Sequence, residues 1–120
     1  MKILIVEDEK YRMDLFMQFL LPHDLYFATT ADRAINLIDK TKFDIIFLDF
    51  NLEKGNSWPI AIHLIDKNIK SKVFIHSMNA PGTDKLLQLF GWAKMPATAA
   101  IFSGREFYNI IKDIKNGRYK

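Results

Sequence analysis

The sequence predicts an α/β fold, a doubly wound parallel sheet in a single domain. Three observations predict it: five short apolar runs of strand-like composition, a helical period between each run and the next, and no long linker in between. Strict alternation of this kind implies parallel strands joined by right-handed crossovers, with helices on both faces of the sheet. The 120 residues are 49% hydrophobic and include ten Phe, enough for one core without disulfide staples.

The first run, Lys2–Val6, is almost continuously apolar, as expected of a strand buried on both faces. Next, a helix from about Lys10 to Leu20 carries Tyr11, Leu15, Phe16 and Phe19 and stops before Pro22. Leu25–Thr29 is the second strand, and Ala31, Ala34, Ile35 and Ile38 form the stripe of a second helix capped by Thr30. Phe43–Leu48 is the third strand. Trp58, Ala61, Ile62 and Ile65 repeat the helical spacing after Ser57, with Pro59 tolerated in the first turn. Lys72–His76 is the fourth strand, followed by a helix bearing Leu86, Leu87, Leu89 and Phe90, with Gly91 as its stop. The fifth strand, Ala97–Phe102, is apolar but rich in small residues. Phe107, Ile110, Ile111 and Ile114 form the last stripe, and Ser103-Gly104-Arg105-Glu106 before it matches a capping box. The Trp and Met residues read as core filling.

Composition excludes several function classes. Cysteine is absent, which removes disulfide and thiolate chemistry and fits a reducing, cytoplasmic setting. No apolar run approaches the ~20 residues that span a bilayer. The start, MKILIVEDE, reads as a strand and not as a signal peptide. Residues 1–120 read as one stand-alone domain with no output domain. The net charge of +3 comes from the end of the chain, where five of the 17 basic residues (Arg105, Lys112, Lys115, Arg118, Lys120) face Glu106 and Asp113. Phe107, Tyr108 and Tyr119 lie among those charges, but so small a patch reads as a solvated helix with cations near its C-terminal end, not as a nucleic-acid surface.

In sheets of this class ligands bind beyond the carboxyl ends of the strands, where the strand order reverses. The first strand ends in Glu7-Asp8 and the third in Asp49, and in a doubly wound sheet these strands are neighbours. Three carboxylates therefore converge on one edge, where mutual repulsion and burial raise at least one pKa. A hard divalent cation removes the conflict, and Mg²⁺ suits one or two carboxylates together with waters and a phosphate. Acids also belong in a first helical turn, so Glu7-Asp8-Glu9 alone could be an ordinary helix start. Asp49 is different. It directly follows Ile45-Ile46-Phe47-Leu48, where a strand leaving the core usually turns on Gly, Asn or Ser.

Taken in order, Lys2–Glu9, Phe43–Leu52, Val73–Ser77 and Phe102–Phe107 resemble the motifs of the receiver domain of two-component response regulators. The resemblance implies a flavodoxin-like (βα)5 sheet with strand order 2-1-3-4-5. It implies that Asp49 accepts a phosphoryl group, that Glu7 and Asp8 hold Mg²⁺, and that the main-chain carbonyl of Asn51 completes the metal shell. Ser77 matches the hydroxyl that hydrogen-bonds the phosphoryl oxygen. The implied partners are a sensor histidine kinase or phosphotransfer protein and an output protein met by direct contact. Physically this is nucleophilic carboxylate chemistry, stabilised by metal and hydrogen bonds during in-line displacement.

The sequence also departs from that pattern. Receivers carry a Lys-Pro-Phe step at the end of the fifth strand, and here Ala100-Ile101-Phe102 stands there, so the lysine is missing. The aromatic switch position becomes Ala97. Lys94 precedes the strand and is about 20 Å of extended chain from the pocket, too far to substitute. The stretch His76–Gly82 resembles a divergent, cyclic-phosphate-processing group of receiver-like domains, in which His76 could act as an acid–base group. The opposing reading of His76 is a strand histidine with its ring against a helix. Three functions stay open: a phospho-accepting receiver, a small Mg²⁺-dependent phosphate-processing enzyme, and a pseudo-receiver that binds partners. For the last, Ala97–Ala100, Phe90 and Trp92 would form a dimer or partner face in the fourth and fifth elements.

Overall fold

The computed structural model describes residues 1–119; Lys120, counted above in the basic tail, lies outside them. Ten elements alternate without exception: β1 Lys2–Val6, α1 Lys10–Leu20, β2 Asp24–Ala28, α2 Ala31–Lys40, β3 Ile45–Leu48, α3 Trp58–Asp66, β4 Lys72–Ile75, α4 Ala80–Trp92, β5 Ala97–Ala99 and α5 Arg105–Lys115. The strands form one parallel sheet in the order β2-β1-β3-β4-β5, the flavodoxin-like arrangement. No helix among the described residues is long and apolar enough to cross a membrane.

Strand alternation divides the core into two layers. Leu4, Val6, Ile46, Leu48, Val73 and Ile75 face α2, α3 and α4, where they meet Leu37, Ile38, Ile60, Leu64, Leu86 and Phe90. Ile3, Ile5, Ile45, Phe47 and Phe74 face α1 and α5, where they meet Phe16, Leu20, Phe107, Ile110, Ile111 and Ile114. This second layer is dominated by Phe rings, with Phe16 packed at tilted and edge-on angles against Phe47, Phe102 and Phe107 at centroid distances of 5.1, 5.5 and 5.4 Å.

Most local expectations hold, and the exceptions have physical causes. Thr30 caps α2 by accepting from the Arg33 amide. The capping box before α5 does not form. Ile101 O accepts from the Gly104 amide, a turn that puts Ser103 at a positive φ of 65° and leaves Gly104 as the N-cap with no side-chain cap bond. Gly91 does not stop α4. The helix runs to Trp92, and Lys94, at φ 56°, provides the left-handed residue. There the amides of Met95 and Lys94 reach back to the carbonyls of Phe90 and Gly91, a Schellman closure. On α3 the buried stripe is Ile60, Ala61 and Leu64, while Trp58 and Ile62 face solvent. That helix is apolar nearly all round, so spacing alone offered more than one stripe. Trp92 and Met78 are exposed, not core filling, and Phe90 is buried.

The carboxyl ends of the strands are fastened to their loops. The Ser57 hydroxyl donates to the main-chain carbonyl of Asp49, and the Ser57 amide donates to Phe50 O at 2.9 Å, cinching the β3–α3 loop. Phe50 in turn lies flat against Gly82 in the first turn of α4: a Cβ at Gly82 would sit 2.4 Å from two of its ring carbons. The glycine is required by this close approach. Gly82→Ala should therefore destabilise the protein by about 1–3 kcal/mol, the usual cost of overpacking, measured by urea denaturation. An unchanged midpoint would show that the ring shifts freely.

Candidate functional site

The site follows from register. β1 pairs with β3 through Val6↔Leu48, and β3 with β4 through Leu48↔Ile75. One residue further along, Glu7, Asp49 and His76 stand in a row, held by Asp49 N–H to Val6 O at 3.0 Å and His76 N–H to Leu48 O at 2.9 Å. Continuing the alternation of the strands, all three side chains fall on the α1/α5 side. Glu7 and His76 have no exposed surface and Asp49 is 5% exposed. One ligand atom from each lies within 4.8 Å of the others.

Two buried carboxylates side by side need compensation, and the two receive it unequally. Glu7 is saturated: Oε2 accepts from the amides of Asp8 and Glu9 at 3.1 and 3.0 Å, and Oε1 meets His76 Nε2 at 2.9 Å. Those amides belong to the turn that joins β1 to α1, so Glu7 folds back on its own loop just ahead of the helix, whose N-cap Glu9 has no side-chain cap bond. Burial pushes the Glu7 carboxyl up, but the His76 hydrogen bond and charge, the Glu9 amide and Arg12 outweigh it, and the net shift is below the ordinary value. For Asp49 the balance reverses. Burial and then repulsion from Glu7 raise its carboxyl against the pull of His76, Ser77 and Arg12. His76 holds its ring edge-on to Phe16 of α1, with centroids 5.1 Å apart, and its Nδ1 is buried with no partner among the described residues. The packing matches the reading of His76 as a strand histidine with its ring against a helix, and its Nε2 meets the Glu7 carboxylate.

The structure places the other expected residues around this core. Asp8 is exposed, and partial loss of hydration with repulsion from Glu7 and Glu9 raises its carboxyl. Ser77 is buried beside the pocket and accepts from the Asn79 amide at 3.0 Å. Asn51 is exposed, its Oδ1 accepting from the side-chain Nδ2 of Asn79 at 3.4 Å, which ties the β3 loop to the start of α4. Ala100 is buried in the α1/α5 layer and its amide donates to Ile75 O, so at the edge of the pocket the fifth strand offers a methyl group and no cation. Lys94 sits beyond the other end of β5, at the close of α4.

One residue was not anticipated. Arg12, in the first turn of α1, brings Nη1 within 3.5 Å of Asp49 Oδ2 and 3.6 Å of Glu7 Oε1. Its position four residues after Asp8 puts it over the end of β1, a signal that Lys10 and Asp14 on either side disguised as an ordinary charged helix face. The oxygen donors of Asp8, Asp49 and the Asn51 main chain have the hard character that Mg²⁺ takes, while the oxygens of Glu7 are already engaged by its own chain.

The model of the cyclic-phosphate processing receiver domain matches residues 2–91. The chain belongs to that family. The matched segment contains Glu7, Asp8, Arg12, Asp49, His76 and Ser77. Solved receiver domains share the fold. A CheY-like response regulator receiver from Methanospirillum hungatei is 18% identical, with TM-score 0.75, covering 97% of this chain and 91% of that one. The receiver domain of a sensor histidine kinase from Pseudomonas aeruginosa, solved with magnesium in its active-site cleft, is 17% identical, with TM-score 0.74, covering 92% and 93%. The response regulator TrrA from Thermotoga maritima, solved with Mg²⁺–BeF, is 18% identical, with TM-score 0.73, covering 94% and 97%. No curated protein matches the sequence.

This receiver domain should respond to pH through its two buried carboxylates with opposite signs. Asp49, raised on folding, costs stability once ionised, so Asp49→Asn should stabilise the metal-free protein at neutral pH. The gain should vanish as pH falls below 3.8, the ordinary value, where the aspartate is protonated folded or unfolded. Glu7, lowered on folding, contributes stability above its ordinary value of 4.5 that is lost as pH falls through the lowered one. Glu7→Gln should therefore destabilise at neutral pH. Urea denaturation at pH 7 and pH 3 reads both, and equal signs would contradict the assignment.

Proposed function

We propose that this receiver domain processes a phosphate ester, with Asp49 as nucleophile and a cyclic phosphate as the substrate class. The observation that supports the reading most is the unequal treatment of the two buried carboxylates. Glu7 is locked by two amides and an imidazole, whereas the Asp49 carboxyl stays raised despite the Ser77 hydroxyl and the loose Arg12 contact, the condition of a reactive group. The family description supplies the substrate class.

In the proposed step an Asp49 oxygen attacks phosphorus in line, an O–P bond forms and the ring P–O bond breaks. The departing ring oxygen takes a proton from solvent at the open rim. The resulting acyl phosphate is then hydrolysed, releasing a phosphomonoester and restoring the carboxylate. Asp8, Asp49 and the Asn51 carbonyl would hold Mg²⁺, which when bound neutralises charge at the phosphoryl oxygens. The Ser77 hydroxyl, which accepts from the Asn79 amide and hydrogen-bonds the Asp49 carboxyl, would turn its proton from Asp49 to a phosphoryl oxygen. His76 is fully buried behind Glu7 and acts as a positioning residue, not as an acid that reaches substrate.

A second reading keeps Asp49 as the acceptor from a phosphohistidine donor, with a sensor kinase or phosphotransfer protein upstream, an output protein downstream and a cytoplasmic location. The shared fold of solved receivers favours it. The two part on what forms. With Mg²⁺ and a panel of cyclic phosphates, ring opening should be seen by phosphorus NMR and should fall at least about 10³-fold in Asp49→Asn. A stable Asp49 adduct from acetyl phosphate, with every cyclic phosphate intact, would sink the enzymatic reading in favour of the relay.

A further inference from the structure

We propose that Arg12 is the resident counter-cation of the pocket: it pairs with Asp49 when no metal is bound and transfers to phosphoryl oxygens when substrate and Mg²⁺ enter. The inference rests on Asp49 being the phosphoryl-reactive group, and it assigns to α1 the charge that the fifth strand lacks.

The geometry carries the first half. The guanidinium lies 3.5 Å from Asp49 Oδ2 and 3.6 Å from Glu7 Oε1, and it is the one Lys or Arg cation among the described residues that pairs with either. Its other contacts cage it from two further loops. Nη2 lies 3.4 Å from Met78 Sδ after β4, and the guanidinium carbon is 5.5 Å over the Phe102 ring after β5. Arg12 thus spans the carboxyl ends of β1, β3, β4 and β5 from a helix. Ala100, buried against Phe102 and Phe107, leaves that side of the pocket without charge.

Chemistry carries the second half. Both Arg12 contacts with carboxylate are longer than the 2.7–2.9 Å of a tight charge-assisted bond, so the pairs are loose. The side chain is 24% exposed, at the mouth and not behind it. A guanidinium stays protonated throughout and matches phosphate oxygens in two-pronged fashion, which an ammonium does not. Mg²⁺ and Arg12 therefore compete for the Asp49 carboxylate, and the ion's arrival frees the guanidinium for an incoming phosphate.

The competition has a signature that a structural role would not produce. Mg²⁺ alone, titrated calorimetrically into the full chain, should bind Arg12→Gln about tenfold more tightly than the wild type, the scale on which a cation this near shifts a carboxylate's affinity for protons. Beryllofluoride, added at saturating Mg²⁺, should bind that variant about tenfold more weakly, with Arg12→Lys between the two on both measures. Thermal melting confirms that the variants fold. Unchanged or weaker Mg²⁺ binding in Arg12→Gln would overturn the proposal, as would unchanged beryllofluoride binding. Failure of the cyclic-phosphate reading is seen separately, as the absence of ring opening by the wild type, and leaves this opposed pair of shifts measurable.

Discussion

Two carboxylates withdrawn from water at the ends of adjacent strands are the constraint to which the rest of the pocket answers. Burying an ionised group without partners costs several kcal/mol. The parallel register places Glu7 beside Asp49 and leaves no way to turn either side chain out without shifting its strand. Each nearby feature meets part of that cost. The turn between β1 and α1 offers amides to Glu7, the end of β4 offers His76, and the first turn of α1 swings Arg12 across both.

The division of labour between the carboxylates then sets what the site can do. Glu7 is a structural anion: it ties down the turn before α1, fixes an imidazole and holds one end of a guanidinium. Asp49 is left under-compensated at the mouth of the pocket, with the β3 loop cinched behind it by Ser57. Under the proposed function, the acid left wanting a cation beside one locked in place is the seat for a metal ion and a phosphoryl group. The aromatic layer beneath, with Phe16, Phe47 and Phe102 around the His76 ring, keeps water away from the Glu7–His76 pair.

The architecture was legible because it depends on features that sequence displays directly. Buried parallel strands read as apolar runs, α2 and α5 have one clear stripe each, and Thr30 is an unambiguous cap. Legibility failed where a residue's role depends on geometry from elsewhere in the chain. Ser103 had the composition of a cap, but the Ile101–Gly104 turn took it out of place. Gly91 had the composition of a stop, yet Lys94 adopted the left-handed conformation instead. Within the site, Glu7 and Asp8 looked equivalent in sequence, and only their placement at the strand end separates a fully buried acid from an exposed one. Arg12 was hidden for the same reason: its partners lie on two other elements, and nothing in its own helix marks it out.

The central claim is that the pocket pulls its two buried carboxyls in opposite directions. The most direct measurement is a ¹³C NMR titration of the side-chain carboxyls of Glu7 and Asp49 in the metal-free protein. The expected result is that Glu7 titrates below its ordinary 4.5 and Asp49 above its ordinary 3.8. Ordinary titration of both, or a raised Glu7 with a lowered Asp49, would show that this pocket is not built around one satisfied and one reactive acid.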